Sequence, residues 1–474
     1  MNNQSRGDKP NFVFIIADQL RADGLGCMGN SDVHTPHLDK LSQQGCLFRN
    51  HISQSPVCYP SRAALMTGRM PHSTGAFNNL VGVGAQEISY VQRLADAGYH
   101  CVSFGSNHMQ PEPFGFHKVV SSRSNYPNSA YGKWLEGLGL SGTVTDYHPQ
   151  NSLKKDHGVK YGLMAQDMKY HWDAFGTAQA IDYLPELKER PFYLHLGFHL
   201  PHPPYFCDRH HFDLYDPDQI RIADYATDFV RHPKLQAMYD GMRSGNVLEQ
   251  EVREITAYYY GAISFVDAQI GQFLAALQAS GLDKNTHIVF TADHGHFCGQ
   301  HGVFDKATFP HRGLVHVPLI WVHPDSGPST RDGFSEHIDL APAFLETAGV
   351  DVPYFMEGQN VLTSQRDWAF SEVGDGVYRQ PIRRYVKTGY YASSIDAQWQ
   401  YIHSTVKGHS ALYHLSHDPG GRQNVMGDYP EVVSACKDRL LDRLFMGSVA
   451  RQDNSIKSFL EFRQGEGMDL SVLD

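Results

Sequence analysis

Several apolar runs along the chain end abruptly in polar residues. Asn11 to Ala17 (NFVFIIA) is β-rich and lacks the alternation of a half-solvated strand. That pattern predicts a strand buried on both faces of a parallel sheet. The run stops at Asp18-Gln19. Tyr99 to Phe104 leads into Gly105, Pro191 to Phe198 (PFYLHLGF) into a His/Pro segment, and Thr286 to Ala292 (THIVFTA) into Asp293-His294-Gly295. Open α/β sheets bind ligands outside the carboxyl ends of their strands, so these polar tails are where chemistry is expected. Helical patterns lie between the runs, including Ser61 to Gly68 and Glu251 to Ser280. The alternation predicts an α/β fold, a mostly parallel sheet flanked by helices.

The texture changes after about residue 365. Ile382 to Tyr391 and Gln398 to Ser404 read as short antiparallel strands. A turn at Asp418-Pro419-Gly420-Gly421 and a helix from Tyr429 to Met446 follow. Residues 1–365 are therefore expected to form the catalytic domain. Residues 366–474 form a smaller subdomain of antiparallel sheet plus helix.

Composition narrows the function. With 41% hydrophobic and 19% charged residues, the chain is globular rather than disordered. A net charge of −11 argues against a nucleic-acid partner. The seven Cys lack the paired short spacings of a disulfide scaffold or zinc knuckle. Met1 to Pro10 is polar and no run reaches transmembrane length, which predicts a soluble cytoplasmic protein with no membrane partner. Periplasmic or secreted placement would follow if a signal had been removed.

The most informative stretch is Val57-Cys58-Tyr59-Pro60-Ser61-Arg62-Ala63. Pro60 suits a first helical turn, which sets Cys58 at the positive end of a helix, where backbone N–H groups hold anions. Arg62 brings a guanidinium to the same place. A buried Cys ahead of a helix is a common structural feature. A nucleophile, an anion hole and a cation within five residues are not.

This segment, continued by Leu65-Met66-Thr67-Gly68-Arg69, strongly resembles the signature of the sulfatase family. The resemblance implies that a formylglycine-generating maturation enzyme oxidises Cys58 to an aldehyde, which hydrates to a geminal diol. One hydroxyl attacks sulfur and expels the alcohol. The second drives elimination of sulfate, so covalent catalysis proceeds in two easier steps. The implied fold is alkaline-phosphatase-like. Thr35-Pro36-His37-Leu38-Asp39, Phe265-Val266-Asp267 and Ala411-Leu412-Tyr413-His414-Leu415 sit in similar family contexts, so the resemblance covers nearly the whole chain.

Asp18 and Gln19, with Asp293 and His294, are the metal ligands that the resemblance implies, together with the converted Cys58. The commonest sulfatase pattern has a second Asp in place of Gln19 and an Asn in place of His294. The combination seen here resembles the phosphonate monoester hydrolase and choline-sulfatase branches. An imidazole and fewer carboxylates weaken the case for Ca2+ and favour Mn2+ or another borderline metal.

Further residues are assigned by the same resemblance. His202, with His199 second, follows the PFYLHLGF run where the family has a His that contacts sulfate or protonates the leaving oxygen. Lys306 stands at the spacing of a sulfate-binding Lys. His108 occupies the His of a Gly-Lys-Trp-His motif whose Lys is Ser106 here, so one positive contact to the anion is missing. Asn78 and Asn79 are candidates for substrate contact or for a turn. The expected reaction is hydrolysis of an organic sulfate monoester, of a small molecule or a saccharide. Hydrolysis of a phosphonate monoester or phosphodiester on the same nucleophile is the alternative. Loops from Ser122 to Lys160 and Asp208 to Asn246 are expected to set leaving-group specificity.

Overall fold

A computed structural model describes residues 9–84, 86–108, 114–121, 129–140, 159–164, 167–222, 230–243, 249–379 and 384–445. Ten strands precede residue 337: β1 (Asn11–Asp18), β2 (Cys46–Ile52), β3 (His100–Gly105), β4 (Lys118–Ser121), β5 (Tyr161–Leu163), β6 (Phe192–Pro201), β7 (Tyr205–Cys207), β8 (Thr286–Ala292), β9 (His316–Val322) and β10 (Ser329–Glu336). Eight of them form one sheet in the order β10-β2-β9-β8-β1-β6-β3-β4. The four runs expected from the sequence are its contiguous centre, β8-β1-β6-β3, and pair in parallel. The sheet is not parallel throughout, because β9 runs antiparallel to both β8 and β2.

β1 shows why its run lacks alternation. Val13, Ile15 and Ala17 pack into one core, and Phe12, Phe14 and Ile16 into another on the opposite face. Both cores are covered by helices, including the 32-residue helix Glu249–Ser280 on one side and Leu340–Thr347 on the other. Fully burying each such side chain contributes roughly 1.5–3 kcal/mol relative to exposure.

A second sheet, antiparallel in the order β11-β12-β13-β14, is built from Trp368–Arg379, Arg384–Asp396, Trp399–Ser404 and Ala411–His414. The turn at 418–421 closes with the Gly421 N–H donating to the Asp418 carbonyl at 3.0 Å. A helix over residues 430–445 follows, and Met446 lies outside the described residues. Most of the first loop expected to set specificity, and residues 223–229 and 244–246 of the second, also lie outside them. No helix among the described residues is long and apolar enough to cross a membrane.

Candidate active site

The register of the central strands assembles the site floor. Ala17 of β1 faces Ala292 of β8 in parallel pairing, so the next residues, Asp18 and Asp293, leave the sheet side by side. The Asp293 N–H donates to the Ala17 carbonyl at 3.2 Å and the Gln19 N–H to Asp293 Oδ1 at 2.9 Å. Gln19 adopts φ +68°, and its carbonyl accepts from the Tyr259 hydroxyl of the long helix at 2.9 Å.

The helix Cys58–Thr67 begins at Cys58, in line with the expectation for its positive end. Arg62 stands one turn into the helix. Its Nε donates to Asp293 Oδ2 at 2.8 Å and a terminal nitrogen reaches Asp18 Oδ2 at 3.4 Å. The other terminal nitrogen donates to the Asn107 carbonyl at 3.2 Å. That carbonyl follows a close approach of β3 to β6. A Cβ at Gly105 (φ +82°) would stand 2.1 Å from the Gly197 carbonyl oxygen, so only glycine fits there. Ser61, from the same helix, donates to the Asp293 carbonyl alongside Ser53 and His337.

Cys58 is 4% exposed, and its Sγ sits among charged groups. Lys306 Nζ lies at 3.2 Å, His294 Nε2 at 3.3 Å and Asp18 Oδ1 at 3.6 Å. Burial and Asp18 push the thiol pKa up, but Lys306, His294 and His202 outweigh them and hold it well below its usual value. Burial disfavours charge on Asp18 too, yet His202, Arg62 and Lys306 keep it far below the carboxylate range. Burial and the repulsion of Asp18 push Asp293 up. Arg62 is held above its usual value by Asp293 and Asp18 against the penalty of burial.

A divalent cation fits this donor set. One ligand atom each of Asp18, Cys58, Asp293 and His294 lies within 4.8 Å of the others. His294 Nδ1 sits 2.9 Å from the Gly295 carbonyl, so that nitrogen keeps its proton and Nε2, which faces the thiol and the carboxylates, is the atom that would exchange its proton for a cation. Burial lowers the pKa of His294, but Asp293 and Cys58 raise it to about 9, a measure of how strongly the site attracts positive charge.

The rim carries the remaining residues expected from the sequence. Lys306 Nζ also approaches His202 Nε2 at 2.7 Å and donates to Gln19 Oε1 at 2.9 Å. His202 Nδ1 faces the Pro203 carbonyl at 2.7 Å, which reserves Nε2 for the site. His108, at φ +50°, places Nδ1 2.9 Å from Asp18 Oδ2. The His199 ring lies tilted 4.6 Å from that of His202 and edge-on 6.0 Å from that of His108.

Asn78 and Asn79 sit differently. Asn78 Oδ1 accepts from the Leu80 N–H at 2.8 Å, an Asx turn. Asn79 Oδ1 accepts from the Tyr59 N–H at 2.9 Å, at the start of the nucleophile helix.

Two carboxylates that support the site escaped the sequence reading. Both oxygens of buried Asp173 accept backbone N–H groups, from His199 and Leu200, each at 2.9 Å. Asp305 Oδ1 accepts from Gln19 Nε2 at 2.7 Å. Asp305 precedes Lys306 directly, and that adjacency was the available signal. Nothing in the local sequence marks Asp173.

Known proteins resemble the chain along most of its length. The family model for sulfatases matches residues 10–350, and that for the C-terminal region of N-sulphoglucosamine sulphohydrolase matches residues 299–445. An arylsulfatase from Clostridium perfringens is 27% identical over 466 residues, covering 92% of this chain and 94% of that protein. The phosphonate monoester hydrolase of Agrobacterium radiobacter superposes with a TM-score of 0.79 at 22% identity, over 93% of this chain and 96% of that one. A structure solved with its substrate D-glucosamine-2-N,6-O-disulfate superposes with a TM-score of 0.72 at 20% identity, over 93% and 98%.

Proposed function

The chain belongs to the sulfatase family, and from that premise we propose that it hydrolyses an organic sulfate monoester, carbohydrate esters included, to alcohol and sulfate. One observation carries the reading: Cys58 starts a buried helix with its Sγ within 3.6 Å of Lys306, His294 and Asp18. The relative named arylsulfatase supports the sulfate ester as substrate class. Formylglycine derived from Cys58 through a maturation enzyme supplies the covalent nucleophile, and a divalent cation supplies Lewis acidity.

Asp18, Gln19, Asp293 and His294 would hold the cation. Arg62 neutralises the two carboxylates and keeps their outer oxygens turned from solvent. Lys306 binds a sulfate oxygen beside the nucleophile, where its ammonium already meets the Cys58 side chain. His202 Nε2, which faces Lys306 Nζ at 2.7 Å, is the atom that takes up a proton and passes it to the leaving oxygen once the sulfate engages Lys306, with its other nitrogen committed to the Pro203 carbonyl. His108, fixed by Asp18, is assigned to hydrogen-bond the nucleophile. His199 contributes to binding the anion.

Gln19 and His294 favour a second reading, a phosphonate monoester or phosphodiester hydrolase using the same groups. Both substrate classes carry a single negative charge, which suits a rim whose ammonium is Lys306. A protein preparation with Cys58 conversion verified by peptide mass discriminates them. We expect kcat/KM for an aryl sulfate to exceed that for an aryl phosphonate monoester and an aryl phosphodiester, with Mn2+ at least as effective as Ca2+. Preference for either phosphorus ester would replace the substrate assignment and leave the nucleophile standing.

A further inference from the structure

The side-chain amide of Gln19 is addressed from both ends. Its Nε2 donates to Asp305 Oδ1 at 2.7 Å, and its Oε1 accepts from Lys306 Nζ at 2.9 Å. A carboxylate only accepts and an ammonium only donates, so this pair permits a single orientation of the amide. Gln19 is fully buried and its backbone is tied to Asp293 and Tyr259, which leaves the amide little other freedom.

Asp305 is itself placed with care. It adopts φ +68°, a region that Asp tolerates better than most residues. Its carbonyl accepts from the Phe297 N–H at 3.2 Å, and its Oδ1 also accepts from the Lys306 N–H at 2.8 Å. One carboxylate oxygen thus organises both the amide and the residue that bears the ammonium.

We propose that Asp305 is a positioning residue for the divalent cation held by Asp18, Gln19, Asp293 and His294. It aims the Gln19 amide oxygen toward the cation. It also supplies, one hydrogen bond away, the negative charge that an amide at position 19 lacks. A carboxylate bound to the NH2 end draws electron density onto the oxygen and strengthens it as a donor. Without Asp305 the NH2 end has lost its acceptor, and only Lys306 Nζ, itself drawing on the amide oxygen, still holds the orientation. The inference rests on the metal-dependent reading above.

The test is calorimetric titration of MnCl2, and separately CaCl2, into the full chain stripped with EDTA. Melting of each metal-free variant is recorded alongside. We expect Asp305→Ala to weaken Mn2+ binding about 10- to 100-fold, the usual scale for an outer-shell partner. Asp305→Asn, which keeps an acceptor but loses the charge, should weaken it less and melt like the parent. Moving the charge, in Gln19→Asp combined with Asp305→Asn, should recover the affinity. A merely structural role for Asp305 predicts no such recovery.

Parent-like affinity in both single variants would overturn the proposal, as would failure of the double variant to exceed Asp305→Asn. If Asp305→Ala does not fold, Asp305→Asn and the double variant decide the question in the same way. A parent protein that binds neither ion would sink the metal-dependent reading and this inference with it. A parent that binds, with variants that match it, sinks this inference alone.

Discussion

Asp18, Arg62, Asp293 and His294 are at most 1% exposed, whereas His108, His202 and Lys306 keep partial access to solvent. The floor and the rim use the same kinds of side chain to opposite ends. On the floor each charge meets its counter-charge within the protein, as when Arg62 spans both carboxylates. On the rim, polar atoms contact one another beside Cys58, as His202 Nε2 and Lys306 Nζ do. A buried charge is costly unless paired, so the floor is compensated before any substrate arrives. Rim groups can exchange their mutual contacts for those of a substrate. Floor substitutions should therefore damage folding as well as turnover, and rim substitutions turnover alone.

Cys58 joins the two layers, and its removal should have the largest effect on activity. Cys58→Ala is expected to lower kcat on an aryl sulfate by about 10^5-fold or more, the scale of losing a covalent nucleophile. Retention of activity to within about tenfold would instead indicate hydrolysis by the metal site alone.

Arg62→Met should separate the layers most clearly in stability. It strands Asp18 and Asp293 as neighbouring buried carboxylates, a loss of about 3–5 kcal/mol in denaturant unfolding of the metal-free protein. Added Mn2+ should restore part of that loss by binding the same carboxylates. Lys306→Met should cost less stability while still impairing turnover. Equal destabilisation by the two variants would erase the distinction between floor and rim.

His202→Gln tests the rim by leaving group. As proton donor to the leaving oxygen, His202 should matter most when that oxygen is basic. The expected loss in kcat is about 10^2-fold on an alkyl sulfate, within the usual range for a general acid. It should be smaller on an aryl sulfate with an acidic phenol. Equal losses on both substrates would make His202 an anion-binding group instead.

The parts of this design that were legible in the sequence share one property: their signal is local. The central strands are buried on both faces, so each reads as an unbroken apolar run ending in its site residues. Two of the outer strands do not. β2 (CLFRNHI) mixes exposed Arg49 with buried neighbours, and β10 (STRDGFSE) is a polar edge strand, so neither shows such a run. The reversed direction of β9 depends on how its connections pack, which no residue pattern encodes. Within the site, Asp18-Gln19, Cys58 to Arg62 and Asp293-His294 stand in compact motifs. Asp305 reaches Gln19 across 286 residues, and Asp173 acts on the backbone at His199 and Leu200. Roles of that kind exist only once the chain has folded.

Asn79 is the subtlest test of the comparison, because it is exposed like the rim and acts on the floor. The N-cap of the nucleophile helix is Val57, whose side chain cannot accept a hydrogen bond. Asn79 Oδ1 takes over that task for the Tyr59 N–H from outside the helix. Asn79→Ala should therefore behave as the loss of a cap, costing about 0.5–2 kcal/mol in denaturant unfolding. The kcat/KM for an aryl sulfate should be nearly unaltered, because the helix start remains fixed by Ser61 and Arg62 through Asp293. The reverse outcome, full stability with a raised KM, would return Asn79 to substrate contact and place it with His202 and Lys306 on the rim.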